Sequence, residues 1–324
     1  MRLLILTHSP RGIDLTSMFA RLQDITGADL HVLDMGQARN LKAFLRGIDP
    51  EAYDRILIDV PFKYIHTQAA VLAKLPGVLI YEEDACQNYL ASSKWFGAFT
   101  RLYSQLPGAR VVVTGCSIAR RLREEGVNAS FMAKGYDAAM LYDEGRERNI
   151  ELGFIGRFSS DAYKGRKAML ESLQAVEPLQ LLRTEPGDDY RQTLNRIRFF
   201  ISADVGLGEY MAKNFEAMAC GCVLLAWRQG EEELAIGLRE GEHLLLYSSL
   251  DELRGHLASL RLDSKRAARI AESGRVFVGA HCAFEKLAES LAGELAREWP
   301  PLPPLPPQPS LRDWLRSLLG AGRI

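Results

Sequence analysis

The stretch ISADVGLGEYMAKNFEAMACGCVLLAW, Ile201 to Trp227, decides the fold. It reads as a strand, a glycine-bearing loop, a helix entered near Ala212, a stop at Gly221 and a second strand. A strand that runs through a loop into a helix leaves unpaired N–H groups and a positive dipole facing whatever sits above the loop. That is an anion seat, most often for phosphate. Ala212, Lys213, Asn214 and Phe215 form its first turn, and Glu216 lies about one turn, roughly 5.4 Å, further along the axis. From there Glu216 reaches past a diphosphate to a neighbouring pair of hydroxyls. A lysine at a helix start opposes the dipole by a few tenths of a kcal/mol, so Lys213 itself favours an anionic ligand. Gly221 ends the helix where a left-handed residue is needed.

Outward from this segment the chain alternates short apolar runs with longer amphipathic pieces. Before it come ELGFIG, LQLLR and RFFISAD, and after it HLLLYS. The first 137 residues hold a similar set: Leu3–Thr7, Leu30–Leu33, Ile56–Val60, Val78–Tyr81, Val111–Thr114 and Ser130–Ala133. Between them lie helix-like pieces such as Ser117–Gly126, with serine at the start and glycine at the end. Strands and helices in alternation predict an α/β fold of two parallel sheets, each covered on both faces. The polar, aperiodic AKGYDAAMLYDEGRERN places the boundary between residues 1–137 and 138–296, with 297–324 as a separate tail. Ligands are then expected beyond the carboxyl ends of the strands, in a cleft between two Rossmann-like domains.

The second informative segment is GFIGRFSSDAYKGRKAMLESL, Gly153–Leu173. A buried strand ends at Gly156, Arg157 stands at its tip, and Lys164-Gly165 opens the next helix. Either cation alone reads as solvated surface. Two cations aimed at one loop suit a diphosphate, and charge that grows on a leaving diphosphate is what such cations stabilise. Together with FEAMACG, this GR…KG element resembles the donor site of group-1 glycosyltransferases of the GT-B fold. AKGYD (Ala133–Asp137) is similar to the turn that leaves their first domain, with Lys134 and Tyr136 at departing positions. MAKNFEAMACG also looks similar to the spore-maturation-like branch. The resemblance covers residues from about 130 to 255 and is weak before 110. It implies a nucleotide diphosphate-sugar donor, a hydroxyl acceptor, Glu216 on the ribose, retention of anomeric configuration, and no metal or cofactor. Bacterial surface glycan or glycolipid synthesis is the expected setting, in the cytoplasm.

One position departs from the family pattern. Retaining members carry a first glutamate that touches the donor sugar; here Gly208 stands eight positions before Glu216, and Glu209 seven. Glu209 is therefore either a displaced sugar ligand or a solvated loop carboxylate. In the first domain, His8 and Gly12 lie in the loop after the first strand, beside Arg11. A histidine there suits general-base work, although a loop histidine without duty reads equally well. Glu82, Glu83 and Asp84 follow VLIY and could accept hydrogen bonds from an acceptor. His66 reads as packed on a helix.

Composition limits the alternatives. The 324 residues are 47% hydrophobic and 25% charged with a net charge of −1, a globular composition with no pull toward nucleic acid. Five scattered cysteines follow no zinc spacing and read as reduced thiols. The apolar run Leu3–Leu6 is too short for a signal peptide. Residues 300–309, PPLPPLPPQP, carry seven prolines in ten positions, and SLRDWLRSLLG follows with Trp314 and four leucines opposite Arg312 and Arg316. This tail reads as a segment that docks on the protein, binds a partner, or lies on a membrane surface. A nucleotide-sugar epimerase of the same fold and a catalytically silent binding module are the rival functions.

Overall fold

The computed structural model describes residues 1–9, 15–157 and 164–298. The first domain is a six-stranded sheet: β1 (Leu3–His8), β2 (Asp29–Leu33), β3 (Arg55–Asp59), β4 (Val78–Glu82), β5 (Arg110–Val113) and β6 (Ala129–Phe131). Its order is β2-β1-β3-β4-β5-β6, with every pair parallel. The second is five-stranded: β7 (Ile150–Ile155), β8 (Gln180–Leu182), β9 (Ile197–Ser202), β10 (Val223–Trp227) and β11 (Leu245–Tyr247). Its order is β11-β10-β9-β7-β8, again parallel throughout.

Near-continuous apolar strands form these sheets because both faces are covered. In the first domain Leu4, Leu6, Ile56 and Ile58 point into one core, while Leu3, Ile5, Leu57 and Leu79 point into the other. Both strand orders reverse direction once, between β1 and β3 and between β7 and β9. Those reversals are the switch points where open α/β sheets bind ligands.

The last two helices among the described residues are Ser264–His281 and Phe284–Ala296, separated at Cys282 and Ala283. The second was expected within the 138–296 domain, and it packs on the first domain instead. Phe284, Leu287, Ala288, Leu291 and Leu295 fall on one helical face and close over Leu3, Ile5, Met18 and Phe19. Burying side chains of this size contributes about 1.5–3 kcal/mol each, enough to hold the return crossing. Arg110 locks the far end: it pairs with Glu294 at 3.1 Å and donates to the carbonyls of Glu294 and Glu298 at 2.9 and 3.0 Å. A cation at the last carbonyls of a helix is also favoured by the dipole. At the crossing, the Tyr136 N–H donates to the Cys282 carbonyl and the Phe284 N–H to the Tyr136 carbonyl. No helix among the described residues is long and apolar enough to cross a membrane. The proline-rich tail beyond 298 and Gly12 lie outside the described residues.

Candidate active site

The helix from the decisive segment spans Ala212–Ala219, and no side chain caps its N-terminus. Its other end is a Schellman motif: the Gly221 N–H donates to the Met218 carbonyl and the Cys222 N–H to that of Ala217. Gly221 sits at φ 77°, and a Cβ there would meet Arg148 at 2.5 Å and Asp143 at 2.6 Å. The helix start therefore faces the carboxyl ends of β7 and β9; the Asn214 N–H donates to the Met211 carbonyl at 3.0 Å, which leaves the N–H groups of Ala212 and Lys213 turned toward the opening.

Lys213 and Gly156 meet at this point. Lys213 Nζ donates to the Ile155 carbonyl at 3.3 Å and lies 4.9 Å from the centre of the Phe154 ring. Gly156 has φ 138°, and a Cβ on it would come within 2.3 Å of Lys213 Nζ. Burial, and then the neighbouring Arg166, lower the Lys213 pKa to about 8, against the pull of Asp204 and Glu216. Burial is the main cause, and the carboxylates of Asp204 and Glu216 offset it only in part. Arg157 stands exposed at the tip of β7 and Lys164 exposed at the start of the Lys164–Gln174 helix.

Sequence reasoning missed the support beneath this cradle. Asp204, at the end of β9, is fully buried and ion-paired with Arg166. Its carboxylate also accepts from Ser202 Oγ at 2.9 Å, Asn214 Nδ2 at 2.9 Å and the Met211 N–H at 3.4 Å. Burial pushes the Asp204 carboxyl up, but Arg166, Lys213 and these bonds outweigh it and hold it below its ordinary value. Arg166 donates as well to the Arg157 carbonyl at 3.1 Å, which ties the β7 loop to the same post. Asn214 thus serves the frame, and Phe215 is core, packed near Tyr210. Glu216 is half-buried and accepts from the Tyr190 hydroxyl. Burial raises its pKa, while Tyr190 and Lys213 oppose the shift. Tyr190 lies 26 residues before Glu216, and nothing in the sequence links the two.

Glu209, on the same loop as Asp204, is joined to the first domain. Only 1% of it is exposed, and it pairs at 3.1 Å with Lys134, itself 3% exposed. Its other oxygen accepts from Thr114 Oγ1 at 3.1 Å, at the end of β5. Burial pushes the Glu209 carboxyl up and Lys134 opposes it; burial would lower Lys134, but Glu209 together with Cys86, Glu83 and Asp84 outweighs that and raises it. Glu232 makes a second bridge. Its carboxylate accepts from the N–H groups of Cys116 and Ser117 at 2.8 and 2.7 Å, capping the Cys116–Glu124 helix from the other domain. Ser117, read from sequence as that helix's own cap, instead donates through Oγ to the Gly208 carbonyl at 2.8 Å.

In the first domain His8 is buried, and its Nδ1 meets the Leu33 carbonyl at 2.9 Å. A carbonyl only accepts, so Nδ1 carries the hydrogen and the neutral ring keeps Nε2 as its basic nitrogen. Glu82 is buried and accepts from the Asp84 N–H at 2.8 Å, Glu83 is half-buried and Asp84 exposed. Glu83 and Asp84 both act on Lys134, so this acidic rim adjoins the Glu209 bridge. Elsewhere, Glu240, Glu252 and His256 stand close enough to share an ion. Arg228 already pairs with both carboxylates, and His256 Nε2 meets the Leu246 carbonyl at 2.9 Å. That trio is a salt-bridge network. All five cysteines are free thiols.

A family model described as "Glycosyl transferase-like" matches residues 166–293. Among solved structures, Anabaena HepE in complex with UDP is similar over 91% of this chain and 100% of its own, with a TM-score of 0.67 at 15% identity. HepE has also been solved with UDP-glucose. Sucrose-phosphate synthase from Thermosynechococcus elongatus is similar over 99% of each chain, at TM-score 0.66 and 13% identity. The chain has the GT-B fold. A glycosyltransferase from Rickettsia africae shares this GT-B architecture over 92% of this chain and 99% of its own, at TM-score 0.56 and 10% identity. No curated protein matches the chain by sequence. The family match begins at Arg166 and takes in Asp204, Lys213 and Glu216, so it covers most of the cradle.

Proposed function

We propose that this protein is a glycosyltransferase that moves a sugar from a nucleoside diphosphate-sugar to a hydroxyl acceptor without a metal ion. The observation that carries the reading is Lys213: a cation with a lowered pKa, placed over Gly156 at an uncapped helix start. A diphosphate laid there gains the helix N–H groups, Lys213, Arg157 and Lys164, and adds negative charge beside Lys213. Glu216, oriented by Tyr190, accepts hydrogen bonds from the ribose hydroxyls.

In the reaction, the acceptor oxygen bonds to the anomeric carbon as the bond from that carbon to the phosphate oxygen breaks. The electron pair leaves on the nucleoside diphosphate, where the cations stabilise it, and the hydroxyl proton passes to a base. His8 Nε2 is the base on the first domain. With both oxygens bonded, Glu209 holds the donor loop rather than the sugar. The resemblance implies retention, whereas His8 as base implies inversion; proton NMR of the product anomer decides between them. UDP bound to HepE makes uridine the first base to try. Incubation with UDP-glucose and an acceptor panel should release UDP only when an acceptor is present. Conversion of the donor sugar without acceptor would identify an epimerase, and binding of UDP without any turnover a silent module.

A further inference from the structure

The rim of the first sheet carries a cluster used by neither the donor cradle nor the domain bridges. β2 and β3 flank β1, so the crevice over β1 and β3 is this domain's own switch point. Three segments rise beside it: the Met35–Arg39 helix after β2, the Phe62–Ile65 helix after β3, and the 90–97 segment after β4. They bring two aromatic posts together. Tyr64 packs edge-on against His8 at 5.2 Å, and Trp95 packs edge-on against Phe62 at 5.1 Å. Phe62 in turn stacks on buried Phe99 at 3.7 Å, which fixes the group to the core.

Cations lie against both posts. The Arg39 guanidinium is 5.4 Å and the Lys63 ammonium 4.6 Å from the Tyr64 ring centre, and Lys94 Nζ is 4.9 Å from that of Trp95. All three cations are exposed, whereas Tyr64 is buried and Trp95 half-buried. Contact with a fixed ring limits where each charged head can go, at about 0.5–1 kcal/mol per exposed pair. No carboxylate among the described residues pairs with any of the three. On the same rim, Glu82 is turned onto the Asp84 N–H. Some exposed cations elsewhere are paired: Arg120 with Glu124 and Glu231, Arg228 with Glu240, Arg261 with Glu151. Three oriented cations that pair with no carboxylate among the described residues, on the rim that carries His8, form a receptor for an oxyanion next to the reacting hydroxyl.

We propose that the acceptor is a sugar carrying a phosphate group, whose oxygens are held by Lys63, Lys94 and Arg39 while a hydroxyl of the same molecule meets His8. This assignment rests on the transferase reading above. Phosphate on a sugar is common to a free sugar phosphate and to a lipid headgroup.

The test is calorimetric titration of the full chain, with and without saturating UDP. The probes are glucose 6-phosphate, inorganic phosphate, methyl α-glucoside, and phosphatidylinositol in phosphatidylcholine vesicles. Glucose 6-phosphate or the inositol vesicles should bind at least about tenfold more tightly than the neutral glucoside, since a charge-assisted bond is worth roughly 1.5–3 kcal/mol. Which of these two binds identifies the source. Lys63→Ala/Lys94→Ala should abolish the difference, Lys63→Arg/Lys94→Arg should keep it, and UDP affinity should be the same in all three proteins. Equal binding of charged and neutral probes, no binding of any, or an unchanged preference in the alanine pair would overturn the acceptor assignment and leave the donor reading standing. If UDP fails to bind the parent chain, the transferase reading falls instead, and the titrations without UDP tell the two failures apart.

Discussion

Removing one partner of the Lys134–Glu209 pair should cost far more than an ion pair usually does. Both side chains are almost wholly enclosed, and the pair joins the last turn of the first domain to the donor loop of the second. Glu209→Gln preserves shape and the bond from Thr114 but leaves the Lys134 ammonium buried without its ion-pair partner, with only the more distant charges of Glu83 and Asp84 to offset it. Lys134→Met leaves the Glu209 carboxylate in the same position. Breaking a buried pair from one side costs about 3–5 kcal/mol, whereas replacing both charges together is often neutral. At roughly 2–4 °C per kcal/mol for a domain of this size, each single variant should melt about 6–20 °C lower. The double variant Lys134→Met/Glu209→Gln should recover most of that loss. Thermal melts of the four proteins close the cycle and give the coupling energy directly. Single variants within about 0.5 kcal/mol of the parent, the behaviour of an exposed pair, would refute the claim that this contact holds the domains together. So would losses that simply add in the double variant.

Four further outcomes follow from the same geometry. Gly156→Ala places a methyl where Lys213 Nζ now lies and strains a backbone at φ 138°, so UDP affinity should fall more than tenfold by titration; unchanged affinity would remove Lys213 from the phosphate site. The Lys213 amine titrates near pH 8 in the free protein, and a bound diphosphate raises that pKa. UDP affinity should therefore fall as pH rises through about 8, a slope that Lys213→Met should flatten. The free fold has the opposite sign: a lysine lowered from 10.5 to about 8 adds stability as pH rises between those values, seen in denaturant melts. Glu232→Ala removes a cap with two hydrogen bonds and should destabilise the protein by about 0.5–2 kcal/mol, measurable as a shifted denaturation midpoint at constant slope.

The sequence carried the strands and the Ala212–Ala219 helix for a specific reason. Parallel strands buried on both faces are continuous apolar runs, and Gly221 marks a helix end because a Cβ at that position collides with Arg148 and Asp143. Gly156, Lys213 and Glu216 could be placed because strand, loop and helix follow one another in the chain. Contacts between distant residues could not be placed. Nothing near Asp204 announces Arg166, and nothing near Glu216 announces Tyr190. Lys134 stood out only as a departure within AKGYD, and its partner came from 75 residues away. The amphipathic Phe284–Ala296 helix was legible as a helix, but its periodicity says which face is buried and not which domain buries it. The cap on the Cys116–Glu124 helix was assigned to its own serine because local capping is the common case. Here the glutamate of a facing domain supplies it.

The central claim is that Lys213, Gly156 and Glu216 form a metal-independent seat for a nucleoside diphosphate. Calorimetric titration of the full chain with UDP in the presence of a chelator tests it most directly, beside Lys213→Ala and Glu216→Ala. The account predicts one UDP per chain, affinity unchanged by magnesium, and at least about tenfold weaker binding in each variant, the loss expected for one charge-assisted contact. Binding that requires a metal, or UDP affinity untouched by both substitutions, would contradict it.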